Sequence, residues 1–401
     1  EPTADERTSP DTTPSAKTAS GTGPSTSGSP AMDKEPALPR RLPATTDASR
    51  EAMQARHERL RQEGYVIDQL TGCAPEIDPA TLAGRIEGFI GFARIPVGVA
   101  GPIRIRGSAA QGDYFVPLAT SEGTLVASFQ HAFNAINRCG GATALCSQEQ
   151  VGRAPCFEFE SLAQAGQFAA WLPTQLGRLQ QATAEKSRFC RLLEIGSSVL
   201  GNMVYVLLEF STGDAAGQNM VTAAAQLICN RLLTEMPAKP RSWLVESTVS
   251  GDKRPNALAF RGARGRNASA EVLLPAKQIE RYWRASAYRF AQTWIHSVNG
   301  MAQTGTVGLQ GNVANALAAL FIACGQDAAC VSEAVTAITR IEQTPGGDIY
   351  ASVTLPNLIV GTVGGGICNT ASGGYGTIGG GFNNAASDNY ATIGGGWGNT
   401  A

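Results

Sequence analysis

Apolar residues recur at helical spacing in two segments of the chain, and each recurrence predicts a helix. In the first segment the steps are four, four and three, joining Leu125, Phe129, Phe133 and Ile136. In the second, similar spacing joins Val313, Leu317, Leu320, Phe321 and Cys324. Ser121 is placed to cap the first helix and Gly325 to stop the second.

Other segments between residues 50 and 360 add strands and further helices to this picture. The run 50–64 predicts a helix, the segment 203–210 a strand, and the segment 219–236 a helix that follows the turn 211–217. This mixture, continued from about residue 85 to 360, predicts a globular fold with both helices and strands. A length of 401 residues is enough for two or three domains.

Both ends of the sequence depart from the globular pattern. The first fifty residues contain eight of the 21 prolines and no Phe, Tyr, Trp, Ile or Val, so we expect residues 1–49 to be disordered. Residues 362–401 contain thirteen glycines and repeat every 15 residues. A fixed short period predicts a solenoid of short strands, and the alternative is a flexible Gly-rich tail.

Composition excludes several functional classes. The chain has 32 Lys and Arg residues against 33 Asp and Glu, without the basic stretch that nucleic-acid binding needs, so we expect no nucleic-acid partner. Three isolated histidines and nine irregularly spaced cysteines predict neither a metal site nor a disulfide framework. Buried thiols in a reducing compartment, together with the lack of a long apolar run, predict a cytoplasmic protein without a membrane span.

Two carboxylates stand alone in otherwise uncharged stretches. Glu122 is the only formally charged residue between positions 114 and 137, and Asp327 the only one between 290 and 332. A carboxylate among buried helices requires a partner or a functional role, although either residue could instead cap a helix. Lys253 lies in the loop sequence DKRP at 252–255 and is a candidate to stabilise an oxyanion, with a surface charge cluster as the alternative.

Six motifs of the chain, taken in order, resemble the hydroxymethylglutaryl-CoA reductase family. They are IPVGVAGP at 95–102, TSEG at 120–123, GDAAGQN at 213–219, DKRP at 252–255, ACGQDA at 323–328 and GTVGGG at 361–366. Outside the Gly-rich repeats no G-x-G-x-x-G sequence is present, so a Rossmann site is not expected. The resemblance covers residues of about 85–366, and the repeats at 367–401 resemble the β-roll heads of trimeric bacterial surface proteins.

The resemblance implies an α+β fold, with a large catalytic domain of the reductase type and a ferredoxin-like NADP-binding domain inserted into it. The implied parts are a disordered linker at 1–49, a helical segment at 50–84, the large domain at 85–153 and 245–366, the insertion at 154–244, and the repeats at 367–401. It also implies a homodimer or a dimer of dimers. The implied reaction is the two-step, NADPH-dependent reduction of hydroxymethylglutaryl-CoA to mevalonate and CoA, in the pathway of isoprenoid biosynthesis.

Site residues are also implied by the resemblance. Lys253 would stabilise the oxyanion, Asp327 would tune Lys253, and Glu122 would donate the proton to the aldehyde. The residues implied to hold the hydroxymethylglutaryl group are Arg153, Asp252, Arg254 and Asn315. Those implied to bind the dinucleotide are Ser187 and Arg188 at the 2′-phosphate, with Asp214, Gly217 and Asn219 along the rest.

The sequence departs from the family pattern in three places. Asn312 stands where most members carry a histidine, Arg254 replaces the usual second lysine, and no histidine follows Gly366 in this sequence. Because the family's last catalytic histidine protonates the CoA thiolate, we expect impaired thioester reduction. The alternatives are a non-catalytic remnant that binds acyl-CoA and NADP, or a structural surface protein that acts through its repeats.

Overall fold

The computed structural model describes residues 38–43, 47, 49–65, 67, 93–213 and 215–361, and four two-residue strands between 370 and 393. Most of the segment predicted at 1–49, and residues 66 and 68–84 of the segment predicted at 50–84, therefore lie outside the described residues. Among the residues described there, Leu42 is buried in an apolar cluster with Leu60 and Ile67. The disorder of 1–49 stays a prediction.

Nine described helices follow the chain, and four of them lie in segments for which the sequence predicts a helix. They are α1 Arg50–Gln62, α2 Leu125–Arg138, α3 Leu162–Trp171, α4 Leu176–Lys186, α5 Gln218–Glu235, α6 Ala276–Trp283, α7 Ala287–Thr304, α8 Val313–Ala323 and α9 Val331–Ala334. Short 3₁₀ helices span Leu172–Gln175, Ala257–Arg261 and Ala328–Cys330. Among these described helices, none is long and apolar enough to cross a membrane.

Ten strands of the described chain form one sheet. They are β1 Val97–Gly107, β2 Gln111–Ala119, β3 Ala142–Arg153, β4 Cys156–Glu158, β5 Arg191–Leu200, β6 Met203–Ser211, β7 Ser242–Leu244, β8 Arg264–Leu274, β9 Ile338–Gln343 and β10 Ile349–Leu358. The main order is β7-β4-β6-β3-β8-β10-β9. β1 pairs with both β2 and β3, and β5 pairs with β6. The α+β prediction is confirmed in this mixture of helices with a largely antiparallel sheet.

One part of the sheet is built from consecutive elements. β4, α3 with α4, β5, β6, α5 and β7 follow one another, and their strands lie antiparallel in the order β7-β4-β6-β5. Phe157, Phe168 and Phe210 from these elements have no exposed surface and form one core with Ile228 of α5. Burial of these aromatic side chains stabilises the packing of the helices on the strands β4–β7. We refer to these strands and their helices as the layer of β4–β7.

The start of α2 differs from the prediction. Ser121 does not cap the helix, because the helix begins at Leu125 with Thr124 as its N-cap, and no side chain caps it. Thr124 adopts a left-handed backbone with φ 66°. This turn separates the helix from the preceding loop, so Glu122 lies outside the first helical turn. The prediction for α8 is confirmed, since it ends at Ala323 and Gly325 follows with φ 64°.

Four short strands are described within the repeats. β11 Thr370–Ala371 pairs in parallel with β13 Ala385–Ala386, and β12 Thr377–Ile378 pairs in parallel with β14 Thr392–Ile393. Each residue pairs with the one 15 positions later, such as Thr377 with Thr392. This register is the one that successive coils of a 15-residue repeat require.

Candidate functional site

The loop that carries Lys253 is held in an unusual backbone conformation. Gly251 and Lys253 have φ values of 76° and 69°, and an L-residue such as Lys253 rarely adopts the left-handed region. Asn256 stabilises the turn, donating from Nδ2 to the carbonyl oxygens of Gly251 at 2.8 Å and Arg254 at 2.6 Å. The Lys253 side chain is exposed. Strain of this kind persists only where neighbouring contacts determine it, and it is concentrated at functional sites.

Asp252, next to Lys253, is 5% exposed and is fixed by two arginines. Arg153 donates to its Oδ2 at 2.5 Å, and Arg264 donates to its Oδ1 at 3.1 Å. Gln218 of α5 also approaches Oδ2, at 3.4 Å. Burial raises the pKa of Asp252, but the charges of Arg264 and Arg153 outweigh burial and hold the pKa below its usual value. The carboxylate is therefore ionised and anchors the loop from beneath.

Arg153 uses its whole guanidinium to organise this region. It is 2% exposed, and besides Asp252 it donates to the Gly152 carbonyl at 2.9 Å, to the Gln218 carbonyl at 3.0 Å and to Thr222 Oγ1 at 3.1 Å. These contacts join the end of β3 to the first turns of α5. Arg153 and Asp252 are thus brought together as predicted, but both lie below the surface of the site.

Arg264 and Glu333 complete this buried group, and sequence reasoning missed both. Arg264 Nη1 lies 3.2 and 3.3 Å from the two carboxylate oxygens of Glu333, and the two residues are 3% and 4% exposed. Burial raises the pKa of Glu333 to about 7, against the charge of Arg264. A signal existed, because Glu333 is the only charged residue between positions 328 and 339. The criterion that selected Asp327 also selects Glu333.

Glu122 and Asn315 form a second pair. Asn315 Nδ2 donates to both carboxylate oxygens of Glu122, at 3.2 and 3.1 Å, and so joins the loop before α2 to the first turn of α8. Thr120 Oγ1 accepts the Glu122 amide N–H at 2.9 Å. Glu122 is exposed, whereas Thr120 and Asn315 are half-buried. Glu122 thus has a neutral amide as its partner in place of the expected counter-charge, and the expected burial is not found.

Asp327 is the N-cap of the 3₁₀ helix Ala328–Cys330. Its Oδ1 accepts the Ala329 amide N–H at 2.9 Å, which confirms the capping interpretation of this carboxylate. Its Oδ2 lies 3.6 Å from the Cys330 sulfur, and burial raises the pKa of that thiol to about 12. The carboxylate itself is exposed, so the expectation of burial is wrong here too. The reason is the 3₁₀ turn, which carries Asp327 away from the apolar face of α8.

The three groups expected to do chemistry remain apart in the single chain. Within the described residues, neither Glu122 nor Asp327 forms an ion pair or hydrogen bond with Lys253, and the Lys253 ammonium has no carboxylate partner. Arg254 is also exposed, and its carbonyl accepts from Asn256. The loop therefore presents one ammonium and one guanidinium to solvent above a neutralised buried group.

The residues expected at the dinucleotide occupy the layer of β4–β7. Gly217 is the N-cap of α5 with φ 73°, and a Cβ there would lie 2.5 Å from Thr212 Cγ2, so only glycine fits. Asn219 is exposed in the first turn of α5. Asp214 lies outside the described residues. The turn thus packs closely on Thr212 and leads directly into the N-terminus of α5. The free N–H groups of a helix N-terminus favour the binding of an anion.

Ser187 and Arg188 lie between α4 and β5. Ser187 Oγ accepts the amide N–H groups of Phe189 at 3.3 Å and Cys190 at 3.1 Å, which fixes the turn. The exposed Arg188 guanidinium carbon lies 4.6 Å from the centroid of the Phe189 ring. This stacking orients the guanidinium while leaving its N–H donors in solvent, where a phosphate can accept from them.

Comparison with known proteins gives one consistent result. The family model for hydroxymethylglutaryl-coenzyme A reductase matches residues 52–392, a span wider than the predicted 85–366. The chain is 38% identical over 293 residues to 3-hydroxy-3-methylglutaryl-coenzyme A reductase of Pyrococcus horikoshii, covering 72% of this chain and 71% of that protein. It is 34% identical over 326 residues to the reductase of Haloferax volcanii, covering 81% and 80%.

A solved structure has the same fold. It is the class II 3-hydroxy-3-methylglutaryl-CoA reductase from Streptococcus pneumoniae bound to NADPH, with a TM-score of 0.63 at 15% identity, covering 81% of this chain and 88% of that one. At this identity the likeness concerns the fold alone.

Proposed function

The chain belongs to the hydroxymethylglutaryl-coenzyme A reductase family, and we propose that it reduces hydroxymethylglutaryl-CoA to mevalonate and CoA. The reaction consumes two NADPH and two protons, passes through mevaldehyde, and releases CoA as its thiol after the first reduction. The observation that carries the proposal is the loop at Lys253, whose exposed ammonium stands in a strained turn above the buried pair of Asp252 and Arg153.

The mechanism that we propose assigns a different task to each exposed group. NADPH, when bound, supplies the hydride in each reduction. Lys253 directs its charge at the carbonyl oxygen, which becomes negative as hydride adds to the carbon. Glu122 donates the proton that converts the mevaldehyde oxygen to an alcohol, and Asn315 holds both oxygens of that carboxyl group. Asp327 tunes Lys253 when the two are brought together.

Substrate binding divides into direct and supporting contacts. Arg254 and Asn315 reach the surface of the site, and we propose that they contact the hydroxymethylglutaryl group. Arg153 and Asp252 are also candidates for that group, but they are 2% and 5% exposed and occupied by each other. Their burial favours a supporting role, in which they hold the loop that presents Lys253.

We also propose that residues 154–244 form an inserted, ferredoxin-like, NADP-binding domain. The support is the βαββαβ succession of its elements and the antiparallel order β7-β4-β6-β5. Ser187 and Arg188 fit a 2′-phosphate, since the guanidinium is oriented by Phe189 and free to donate. Gly217 and Asn219 fit the dinucleotide at the start of α5, and Asp214 remains a prediction. The solenoid form of the repeats at 367–401 is likewise a proposal, supported by their 15-residue register.

Assembly completes the proposal. Glu122, Lys253 and Asp327 are exposed and separate in one chain, and a homodimer or dimer of dimers would cover them and exclude water. The cytoplasmic location and the impaired thioester step stay predictions. Among the described histidines, His131 is held at the Tyr282 carbonyl, at 3.0 Å, away from the loop at Lys253. The remnant that binds acyl-CoA and NADP without catalysis is the second candidate, and the departures at Asn312 and Arg254 favour it.

The test is NADPH oxidation by the purified chain with hydroxymethylglutaryl-CoA and, separately, with mevaldehyde, with mevalonate identified as product. Lys253→Ala should lower both rates by about two to three orders of magnitude, as the loss of an oxyanion-stabilising group does elsewhere. Lys277→Ala, at an exposed lysine of α6, is the matched control and should retain activity. Tight binding of both ligands without NADPH oxidation would select the non-catalytic alternative. Full activity of Lys253→Ala would refute the role of the loop.

A further inference from the structure

Glu333 is a buried carboxylate that the proposed chemistry leaves without a task. It lies in α9, immediately after the 3₁₀ helix that Asp327 caps, and is 4% exposed. Its two oxygens lie 3.2 and 3.3 Å from Arg264 Nη1. Burying a carboxylate costs free energy, and apolar residues can often replace a buried ion pair without loss of stability. A purely structural contact is therefore a weak explanation for the presence of Glu333.

A single guanidinium connects Glu333 to the loop that carries Lys253. Arg264 Nη1, which faces Glu333, also donates to Asp252 Oδ1 at 3.1 Å. The stretch that begins with Asp327 is therefore linked to the Lys253 loop through Arg264 and Asp252, and Asp252 is the residue next to Lys253.

The charges around Glu333 are unevenly shared. Asp252 has Arg153 and Arg264 as partners, whereas Glu333 shares Arg264 with Asp252. The other titratable group that faces it is the Cys330 thiol, from the adjacent 3₁₀ helix. Burial raises the pKa of Glu333, the charge of Arg264 lowers it and the charge of Asp252 raises it, which leaves the pKa at about 7. Only the ionised carboxylate forms a full ion pair with Arg264.

We propose that Glu333 is a positioning residue, which holds Arg264 and, through Arg264, the Asp252 carboxylate, and so fixes the left-handed backbone of Lys253 against the segment of Asp327. The inference rests on the proposed function, because the consequence of the positioning is the rate of the reduction. Glu333 does not touch the reacting atoms. It acts by setting where the Lys253 ammonium stands, and a small displacement of such a group is enough to slow catalysis.

The test compares Glu333→Gln with Glu342→Gln, a matched change at a glutamate exposed on β9. Steady-state rates are measured from about pH 5.5 to about pH 8.5, with circular dichroism to verify folding. We expect Glu333→Gln to lower kcat about ten- to a hundredfold at about pH 8 and to change the KM for NADPH less than about threefold. The native enzyme should lose kcat as the pH falls through about 7, and this limb should be missing in Glu333→Gln.

Two further measurements keep the inference open to refutation. Glu333→Asp retains the charge on a shorter side chain. It should therefore fold, have a lowered kcat, and still lose kcat as the pH falls. A native kcat in Glu333→Asp or in Glu333→Gln would overturn the inference. If the native chain reduces no substrate, the proposed function fails separately. Amide hydrogen exchange in residues 250–256 then decides the positioning role, because Glu333→Gln should speed exchange there and Glu342→Gln should not. Equal protection in both variants would overturn the inference.

Discussion

Replacing Glu333 with Gln should change how the stability of the protein depends on pH. The folded pKa of about 7 lies above the ordinary value of 4.5, so the folded protein binds this proton more tightly than the unfolded chain. The resulting stabilisation is fully present below pH 4.5 and is lost as the pH rises through about 7. Gln does not titrate, so this contribution disappears in Glu333→Gln.

The magnitude follows from the two pKa values. The interval between 4.5 and about 7 corresponds to about 3 kcal/mol of free energy of unfolding at the alkaline end. Glu333 is 4% exposed, so solvent screens this energy little. For a domain of this kind, that energy amounts to a change in Tm of about 6 to 12 °C at most. Asp252 does not interfere, because its pKa lies below 3.8 and outside the range measured.

The assay is thermal unfolding of the native chain, Glu333→Gln and Glu342→Gln at several values from about pH 5 to about pH 8. The relevant quantity is the difference in Tm between the native chain and Glu333→Gln, because all other titrating groups are shared. As the pH rises, we expect the Tm of the native chain to fall relative to that of Glu333→Gln, and the Tm of Glu342→Gln to follow that of the native chain. Parallel curves for the native chain and Glu333→Gln would refute the raised pKa and the buried charge behind it.

Two predictions concern the dinucleotide site. Arg188→Ala should reduce the preference for NADPH over NADH by about ten- to a hundredfold, measured as the ratio of kcat/KM for the two cofactors. The reason is that the lost guanidinium would contact the 2′-phosphate, which NADH lacks. An unchanged ratio would mean that the 2′-phosphate binds elsewhere. Gly217→Ala should raise the KM for NADPH and lower Tm, since the added Cβ would lie 2.5 Å from Thr212 at a φ of 73°. Gly213→Ala is its control in the same turn, because φ there is 61° but, among the described residues other than its chain neighbours, no atom lies within 4 Å of the added Cβ. It should therefore have the smaller effect.

Local signals predict four of the nine described helices and the strand β6, but not the other helices and strands of the described residues. The apolar spacing of α8 is a property of eleven consecutive residues, and Gly325 ends it by chain conformation alone. The prediction that Ser121 caps α2 is wrong because Thr124 adopts a left-handed backbone, a conformation that threonine does not favour. The position of Glu122 depends on that turn, and so could not be predicted from its distance to the apolar residues.

The buried charges could not be predicted in the same way. Arg153, Asp252, Arg264 and Glu333 come from β3, a loop, β8 and α9, and the contacts between them span up to 99 residues of sequence. Arginine and acidic residues are usually exposed, so composition favours the surface for all four. Their burial follows from the sheet, in which β3 and β8 are neighbours. The resemblance implies Asp252, which lies within one of the six motifs, and Arg153, which lies outside them. It does not imply Arg264 or Glu333.

Strand β6 has a mechanical consequence for any closing movement of the smaller layer. Along one edge, its residues 203–205 pair with β4 and its residues 208–210 pair with the end of β3, while β5 covers the other edge. The layer of β4–β7 is therefore not attached to the rest of the sheet through a hinge. If the layer rotates, β6 must twist or lose its hydrogen bonds to β3, and Arg153 is the last β3 residue that pairs with β6. Rotation of the layer would therefore act on Arg153, whose guanidinium anchors Asp252.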